Sequence, residues 1–243
     1  MIKMSRRAWL GMASAAAAVG VVGLPPLQRE SRAAPLPPRE LIRRRNFPNV
    51  VLTTHEGERV RFYDDLIKEK FVTVNMMYST CKATCPLTTA NLVQVQKLLA
   101  DRVGRDLFMY SITLDPKQDT PEVLNAYAKT FGVGAGWKFL TGNPDDIEQL
   151  RRRLGFRWAN QEMDKNKDFH TGNLRYGNEP LMLWGAVPGL AEPTWVSECI
   201  LFADWPENRL RDRQRIVEAK SRKASDAGRT EPVAPMTHDH GQH

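Results

Sequence analysis

The pattern of apolar and polar positions divides the chain into alternating strands and helices. Phe71-Val-Thr-Val-Asn-Met-Met77 is β-branched and largely apolar on both of its alternating faces, which predicts a central strand buried on both sides. It runs straight into Tyr78-Ser-Thr-Cys-Lys-Ala-Thr-Cys-Pro86. Pro86 fits the first position of a helix, which Leu92, Val95, Leu98, Leu99 and Val103 continue at three- and four-residue spacing. Before this pair, residues 50–54 and 59–62 read as short strands joined across His55-Glu56-Gly57, so a β-hairpin opens the fold, and residues 64–70 add a helical turn. After it come an apolar strand at 107–112, a polar turn at 115–119, and a helix from Pro121 capped by Thr120, with Val123, Leu124, Tyr127 and Phe131 on its core face. Residues 132–136 stop that helix. A strand at 137–140 and a helix from Asn143-Pro144, carrying Ile147, Leu150 and Leu154, complete the alternation.

Such alternation predicts an α/β fold with a mainly parallel central sheet flanked by helices. Beyond Phe156 the pattern weakens: residues 160–180 are polar and Gly/Asn-rich, and only 181–184 and 195–202 look sheet-like. A charged helix is expected over 207–223. The domain plan is a leader at 1–33, a Pro- and Arg-rich linker at 34–47, one domain at 48–221 and a disordered tail at 222–243.

Composition changes this picture little. Apolar residues at 42% and charged residues at 26% are ordinary for a globular protein. The formal net charge of +7 would be a reason to look for nucleic acid, but residues 1–33 hold four of those charges. The remainder is scattered, without interleaved aromatics or a nucleic-acid-binding motif, so nucleic acid is excluded as a partner. The leader explains its own charge: Ser5-Arg6-Arg7-Ala8-Trp9-Leu10 has the form of a twin-arginine export signal, followed by an uncharged Ala/Gly-rich segment at 8–24 and by Ser31-Arg32-Ala33, small residues suited to a signal peptidase. The expected partner is then the twin-arginine translocase and the expected location the periplasm. The alternative is an uncleaved membrane anchor, although a span prefers ~20 strongly apolar residues.

In an exported chain three cysteines are read against an oxidising compartment. Cys199 stands in an apolar run and reads as a small core residue. Cys81 and Cys85 lie where a strand feeds a helix, and the unpaired N–H groups and dipole of a helix start favour the thiolate form. Pro86 biases Cys85 away from helical dihedrals, so Cys85 is expected to cap the helix. Two sulfurs converging outside the turn suit soft Cu(I), whereas zinc normally takes four protein ligands or three plus water. The same pair suits thiol-disulfide exchange. A purely structural disulfide would close a very small loop and add little restriction. Peroxidase chemistry lacks its Pro-x-x-x-Thr-x-x-Cys cup. Of the histidines, His170 lies in a polar, Gly-flanked loop and is the natural third ligand; His55 reads as a solvated turn residue, and His238, His240 and His243 belong to the tail.

Three segments together resemble the Sco/SenC family of thioredoxin-like proteins that help assemble the copper centre of cytochrome c oxidase. Thr80-Cys81-Lys-Ala-Thr-Cys85-Pro86 is similar to the family's Cys-x-x-x-Cys-Pro turn, and Leu114-Asp-Pro-Lys-Gln-Asp-Thr-Pro-Glu122 to its Asp-Pro-x-x-Asp-Thr-Pro signature. His170 stands where the distant histidine would follow. The resemblance spans about residues 48–175. It implies a thioredoxin fold, a copper site of Cys81, Cys85 and His170 taking Cu(I) or Cu(II), and a metallochaperone that delivers copper to a cupro-enzyme such as the copper-bearing subunit of cytochrome c oxidase. The enzyme alternative is a thiol-disulfide oxidoreductase acting through Cys81 and Cys85 on such a partner. Two departures stand out. Lys82-Ala83 replaces the Pro-Asp common in the family and brings a positive charge beside the thiols, and residues 172–195 differ from the short hydrophobic strand expected after the histidine.

Overall fold

A computed structural model describes residues 35–166 and 171–227. The leader at 1–33, His170 and the tail histidines lie outside these residues. Contacts divide the chain after Leu36, and the unit that begins at Pro37 carries the fold.

Its elements follow in the order α1 (Pro38–Asn46), β1 (Val51–Thr54), β2 (Arg59–Arg61), a π-helical turn (Phe62–Ile67), β3 (Phe71–Met77), α2 (Thr84–Leu98), β4 (Leu107–Thr113), α3 (Pro121–Thr130), β5 (Trp137–Gly142), α4 (Pro144–Arg153), α5 (Gln161–Lys165), β6 (Asn173–Asn178), β7 (Leu183–Pro188), α6 (Pro193–Phe202) and α7 (Pro206–Ala227). The seven strands form one sheet in the order β2-β1-β5-β4-β3-β6-β7. Parallel pairing is confined to β3-β4 and β4-β5; the pairs toward both edges are antiparallel. The α/β layering is as expected, and the sheet as a whole is mixed because a hairpin closes each edge. Helical crossovers bury both faces of the parallel centre. Every residue of β3 is accordingly buried.

Each side of the sheet has its own core. Phe71, Met77, Leu107, Met109, Trp137 and Phe139 face α2, α3 and α6, whereas Val72, Val74, Met76, Tyr110 and Ile112 face the π-helical turn, α4 and Phe47. The alternation along β3 and β4 is the two-residue period of a strand. Within the first core Trp137 Nε1 donates to Ser111 Oγ (2.9 Å), which donates to Asn75 Oδ1 (2.7 Å), linking the three parallel strands.

Four expectations need correction. Residues 34–47 are not a bare linker, since α1 lies within them; Arg39 of α1 pairs with buried Glu179 at 2.8 Å, and Phe47 packs on Trp184 with ring centroids 4.6 Å apart. Residues 195–202 belong to α6 rather than to the sheet. Glu192 caps that helix by accepting from Trp195 N (2.8 Å), Pro193 occupies its first turn, and Val196 and Ile200 bury one face at helical spacing. A short apolar run is ambiguous between the two states, and the cap decides it. In the polar stretch after 160, β6 forms although Leu174 is its one fully buried apolar residue, because β3 supplies its pairing. Gly177 of β6 leaves the space that the Trp184 ring fills; a Cβ there would lie 2.0 Å from that ring. Finally, α7 runs to Ala227, past the expected start of the tail at 222. Among the described residues no helix is long and apolar enough to cross a membrane.

Candidate metal and thiol site

The two cysteines meet at the C-terminal end of β3, as the strand-to-helix reading requires, but with their roles exchanged. The helix begins at Thr84, so Cys85 and Pro86 are its second and third residues, and Cys85 does not cap it. Pro86 is tolerated there because N–H groups of the first turn have no intrahelical acceptor. The N-cap residue, Ala83, has no side chain that can cap. Cys81 does so instead: the Cys85 N–H points at Cys81 Sγ at 3.4 Å. A sulfur placed where the helix start exposes N–H groups is an anion site made from the chain itself.

The two thiols are consequently unlike. Burial alone would raise the Cys81 thiol, but the Cys85 and Ala83 N–H groups, the Cys85 side chain and Tyr78 outweigh it, and its pKa falls below the usual value. Burial pushes Cys85 up to about 12; a bond from the Tyr78 backbone opposes this, while the neighbouring Cys81 and the charge of Asp119 add to it. Cys81 is 7% exposed and Cys85 1%. Neither is engaged in a disulfide. Lys82 is exposed, and the bonds that lower this thiol come from the helix start and from Tyr78.

The second signature segment holds the cysteine turn in place. Asp119 is fully buried, and its carboxylate accepts from Ser79 N (3.1 and 3.3 Å), from Ser79 Oγ and from Thr113 Oγ1. Thr113 Oγ1 in turn accepts from Asp115 N (2.9 Å), and Leu114 N donates to Met77 O (2.7 Å). One carboxylate thereby ties the end of β4 to the loop carrying Cys81. Nearby, the Tyr127 hydroxyl, raised to about 12 by burial, contacts Thr89 Oγ1 at 3.0 Å on α2. Sequence reasoning placed Tyr127 in the core and Asp119 in a motif without assigning either a contact. The one available signal was an acidic residue amid an apolar α/β alternation, immediately before a Thr-Pro helix start.

The third expected donor, His170, lies outside the described residues. Two residues after it, Gly172 lies so near Thr84 that a Cβ would be 3.3 Å from its methyl group, and Gly172 O accepts from Gly189 N (2.7 Å). Asn91 of α2 closes the same corner by donating to Gly189 O (2.9 Å) and Ala191 O (2.7 Å). Among the described residues no group of three His, Cys, Asp or Glu side chains gathers to hold a metal. The other candidates are elsewhere. His55 is not a solvated turn residue: its Nδ1 accepts from Phe139 N (3.1 Å) and its ring meets Phe139 edge-on, and burial lowers its pKa. Cys199 sits on α6, partly buried against the core as expected, with its pKa raised by burial.

Known proteins are similar to this chain in sequence and fold. The SCO1/SenC family model matches residues 46–174, just over half of the chain. The human mitochondrial SCO1 homologue is 28% identical over 122 residues, which cover 49% of this chain and 38% of that protein, so the chain spans well under half the length of this relative. Yeast Sco1 solved with copper bound superposes with a TM-score of 0.51 at 20% identity, covering 66% of this chain and 91% of the yeast one. BsSco, described as a Sco-family cytochrome c oxidase assembly protein with a disulfide switch, gives a TM-score of 0.52 at 18% identity and covers 63% and 90%. With the fold shared and the family model spanning β1 to β6 and both signature segments, the chain belongs to the SCO1/SenC family.

Proposed function

We propose that this protein is an exported copper metallochaperone in which Cys81, Cys85 and His170 hold the metal for delivery to a cupro-enzyme such as the copper-bearing subunit of cytochrome c oxidase. The observation that carries this reading is the pairing of two thiols on one helix start within a Sco-family fold. Two thiolates suffice for Cu(I), and a histidine nitrogen makes Cu(II) acceptable as well. Copper is cargo here, so Cys81 and Cys85 need to bind it and also release it. The nearness of Gly172, two residues after His170, to Thr84 at the start of α2 supports the role of His170. Export through the twin-arginine translocase to the periplasm follows from the leader motif, with membrane attachment if the leader is retained.

The test is a copper titration of the reduced protein beside its variants. Cys81→Ser and Cys85→Ser each abolish tight Cu(I) binding, and His170→Ala alters the sulfur-to-copper charge-transfer absorption of the Cu(II) form. A cysteine variant that holds Cu(I) as firmly as the parent refutes the two-thiolate site, and an unchanged spectrum removes His170 from it. A second reading, thiol-disulfide exchange on a partner's cysteines, is favoured by the difference between the thiols: Cys81 is the attacking thiolate and buried Cys85 the resolving thiol. Turnover of a dithiol substrate that persists without copper would establish that activity.

A further inference from the structure

The positive charge that the sequence spreads between Arg43-Arg44-Arg45 and Arg151-Arg152-Arg153 is gathered by the fold onto one face. α1 and α4 each end in one of these triplets, and the two ends touch, with Arg153 Nη1 donating to Arg45 O (3.2 Å). Just beyond α4, Arg152, Arg157 and Lys165 line one groove together with Trp158. A basic last turn complements the helix dipole, but that effect is local to each helix and does not call for two triplets side by side. Carboxylates offset part of the charge: Glu40 pairs with Arg43 and Arg44, Glu148 with Arg151 and Arg152, and Asp164 with Arg151. Arg45, Arg153 and Arg157 are exposed and have no carboxylate partner among the described residues, so the face keeps a surplus of cations. The same face exposes apolar side chains. Leu41 and Ile42 of α1 are 52% and 44% exposed and lie at helical spacing from Arg45, and Trp158 is 42% exposed. Ile42 and Arg153 line one cavity, which places the apolar pair next to the end of α4.

We infer that this face docks on an anionic lipid membrane, with the arginines on the headgroup phosphates and Leu41, Ile42 and Trp158 in the interfacial layer. Charge and apolarity select this occupant together, because exposed aliphatic and indole side chains set among arginines are the composition of a segment that lies in a membrane interface. A second copy of the chain docking through the same face would instead set the two groups of arginines against each other. The place in the chain agrees: residues 25–37 alone separate α1 from the uncharged segment of the leader at 8–24.

Sedimentation with lipid vesicles tests this, using residues 34–243, which keep every described element of the fold and remove a leader whose apolar sequence would bind vesicles by itself. The protein pellets with vesicles of equal parts phosphatidylglycerol and phosphatidylcholine, and at least about tenfold more weakly with phosphatidylcholine alone; raising the salt weakens the anionic binding. Arg45→Gln/Arg157→Gln loses at least about tenfold in partition, and Leu41→Ser/Ile42→Ser at least about fivefold. All four side chains are exposed, so both variants keep the Tm of the parent. Trp195→Ser/Phe202→Ser, which removes an apolar pair exposed on α6 across the sheet, binds like the parent. A parent that stays in the supernatant with the anionic vesicles, equal binding to phosphatidylcholine alone, or an arginine variant that binds like the parent would overturn the proposal. Loss of binding in Trp195→Ser/Phe202→Ser would move the contact to α6 and overturn it as well, and full binding by Leu41→Ser/Ile42→Ser would make the face a polyanion site in place of a membrane one.

Discussion

Replacing Asp119 by Ala tests whether the second signature segment is there to hold the cysteine turn. The carboxylate has no exposure and takes hydrogen bonds from Ser79 N, Ser79 Oγ and Thr113 Oγ1, of which Thr113 is also fully buried. Bonds to a charged group contribute ~1.5–3 kcal/mol each, so three of them come to about 5–9 kcal/mol. Removing the carboxylate also removes its own desolvation cost of several kcal/mol. The net loss is therefore about 2–4 kcal/mol. For a domain of this size that lowers Tm by roughly 5–15 °C. Copper binding responds as well, because Ser79 is two residues from Cys81 and its freed N–H lets the turn move. In competition with a chromogenic Cu(I) chelator, Asp119→Ala loses at least about tenfold in affinity, a cost of ~1.4 kcal/mol. Asp119→Asn keeps one acceptor oxygen and falls between the two. With the Asp119 charge gone the Cys85 thiol moves down from about 12. An Asp119→Ala protein that melts within a degree or two of the parent and holds Cu(I) equally well would refute this account.

Other consequences follow from the same contacts. Arg102 is buried with Asp106, Asp204 and Asp212 at 2.9, 2.7 and 2.5 Å, so Arg102→Ala strands two buried carboxylates and destabilises by ~3–5 kcal/mol in urea unfolding. Iodoacetamide labelling followed by peptide mass spectrometry should modify Cys81 first, with a rate that rises through a pKa below the usual thiol value, and leave Cys85 protected at pH 8. Arg151 forms a two-pronged ion pair with Asp164 of α5 (2.7 and 2.9 Å) and lowers its pKa to about 2. Because the folded value lies below the unfolded one of ~3.9, this pair stabilises above pH ~4 and is lost as pH falls toward 2. The stability gap between parent and Asp164→Asn is thus constant near neutrality and closes in acid. At Gly136, φ is +82° and a Cβ would lie 2.2 Å from Gly104 N, a backbone atom that cannot swing away; Gly136→Ala lowers Tm more than Gly57→Ala, where the space is open.

Much of this architecture is legible in local sequence where local rules decide the outcome. Thr120-Pro121 and Asn143-Pro144 are caps followed by a proline in the first turn, and both helices start there, with Thr120 accepting from Val123 N and Asn143 from Asp145 N. The run of β3 and the placement of Cys81 and Cys85 at its end follow from the apolar period and from the proline beside them. The N-cap of α2 does not, because Cys81 fulfils it from outside the usual position and no propensity scale anticipates a sulfur there.

The sequence by itself determined the α/β alternation, the parallel centre and the paired thiols, since each depends on residues within a turn or two of one another. Only the tertiary structure decided the rest. β6 exists because β3 offers it a ladder, α1 belongs to the fold because Arg39 reaches Glu179 across 140 residues, and the cysteine turn is held by a carboxylate from the next crossover. The difference between Cys81 and Cys85 belongs to that second group. Their spacing makes them a pair, but burial, a helix start and Asp119 make one more acidic than an ordinary thiol and the other less. These are free energies of environment, and the environment is assembled only when distant segments meet.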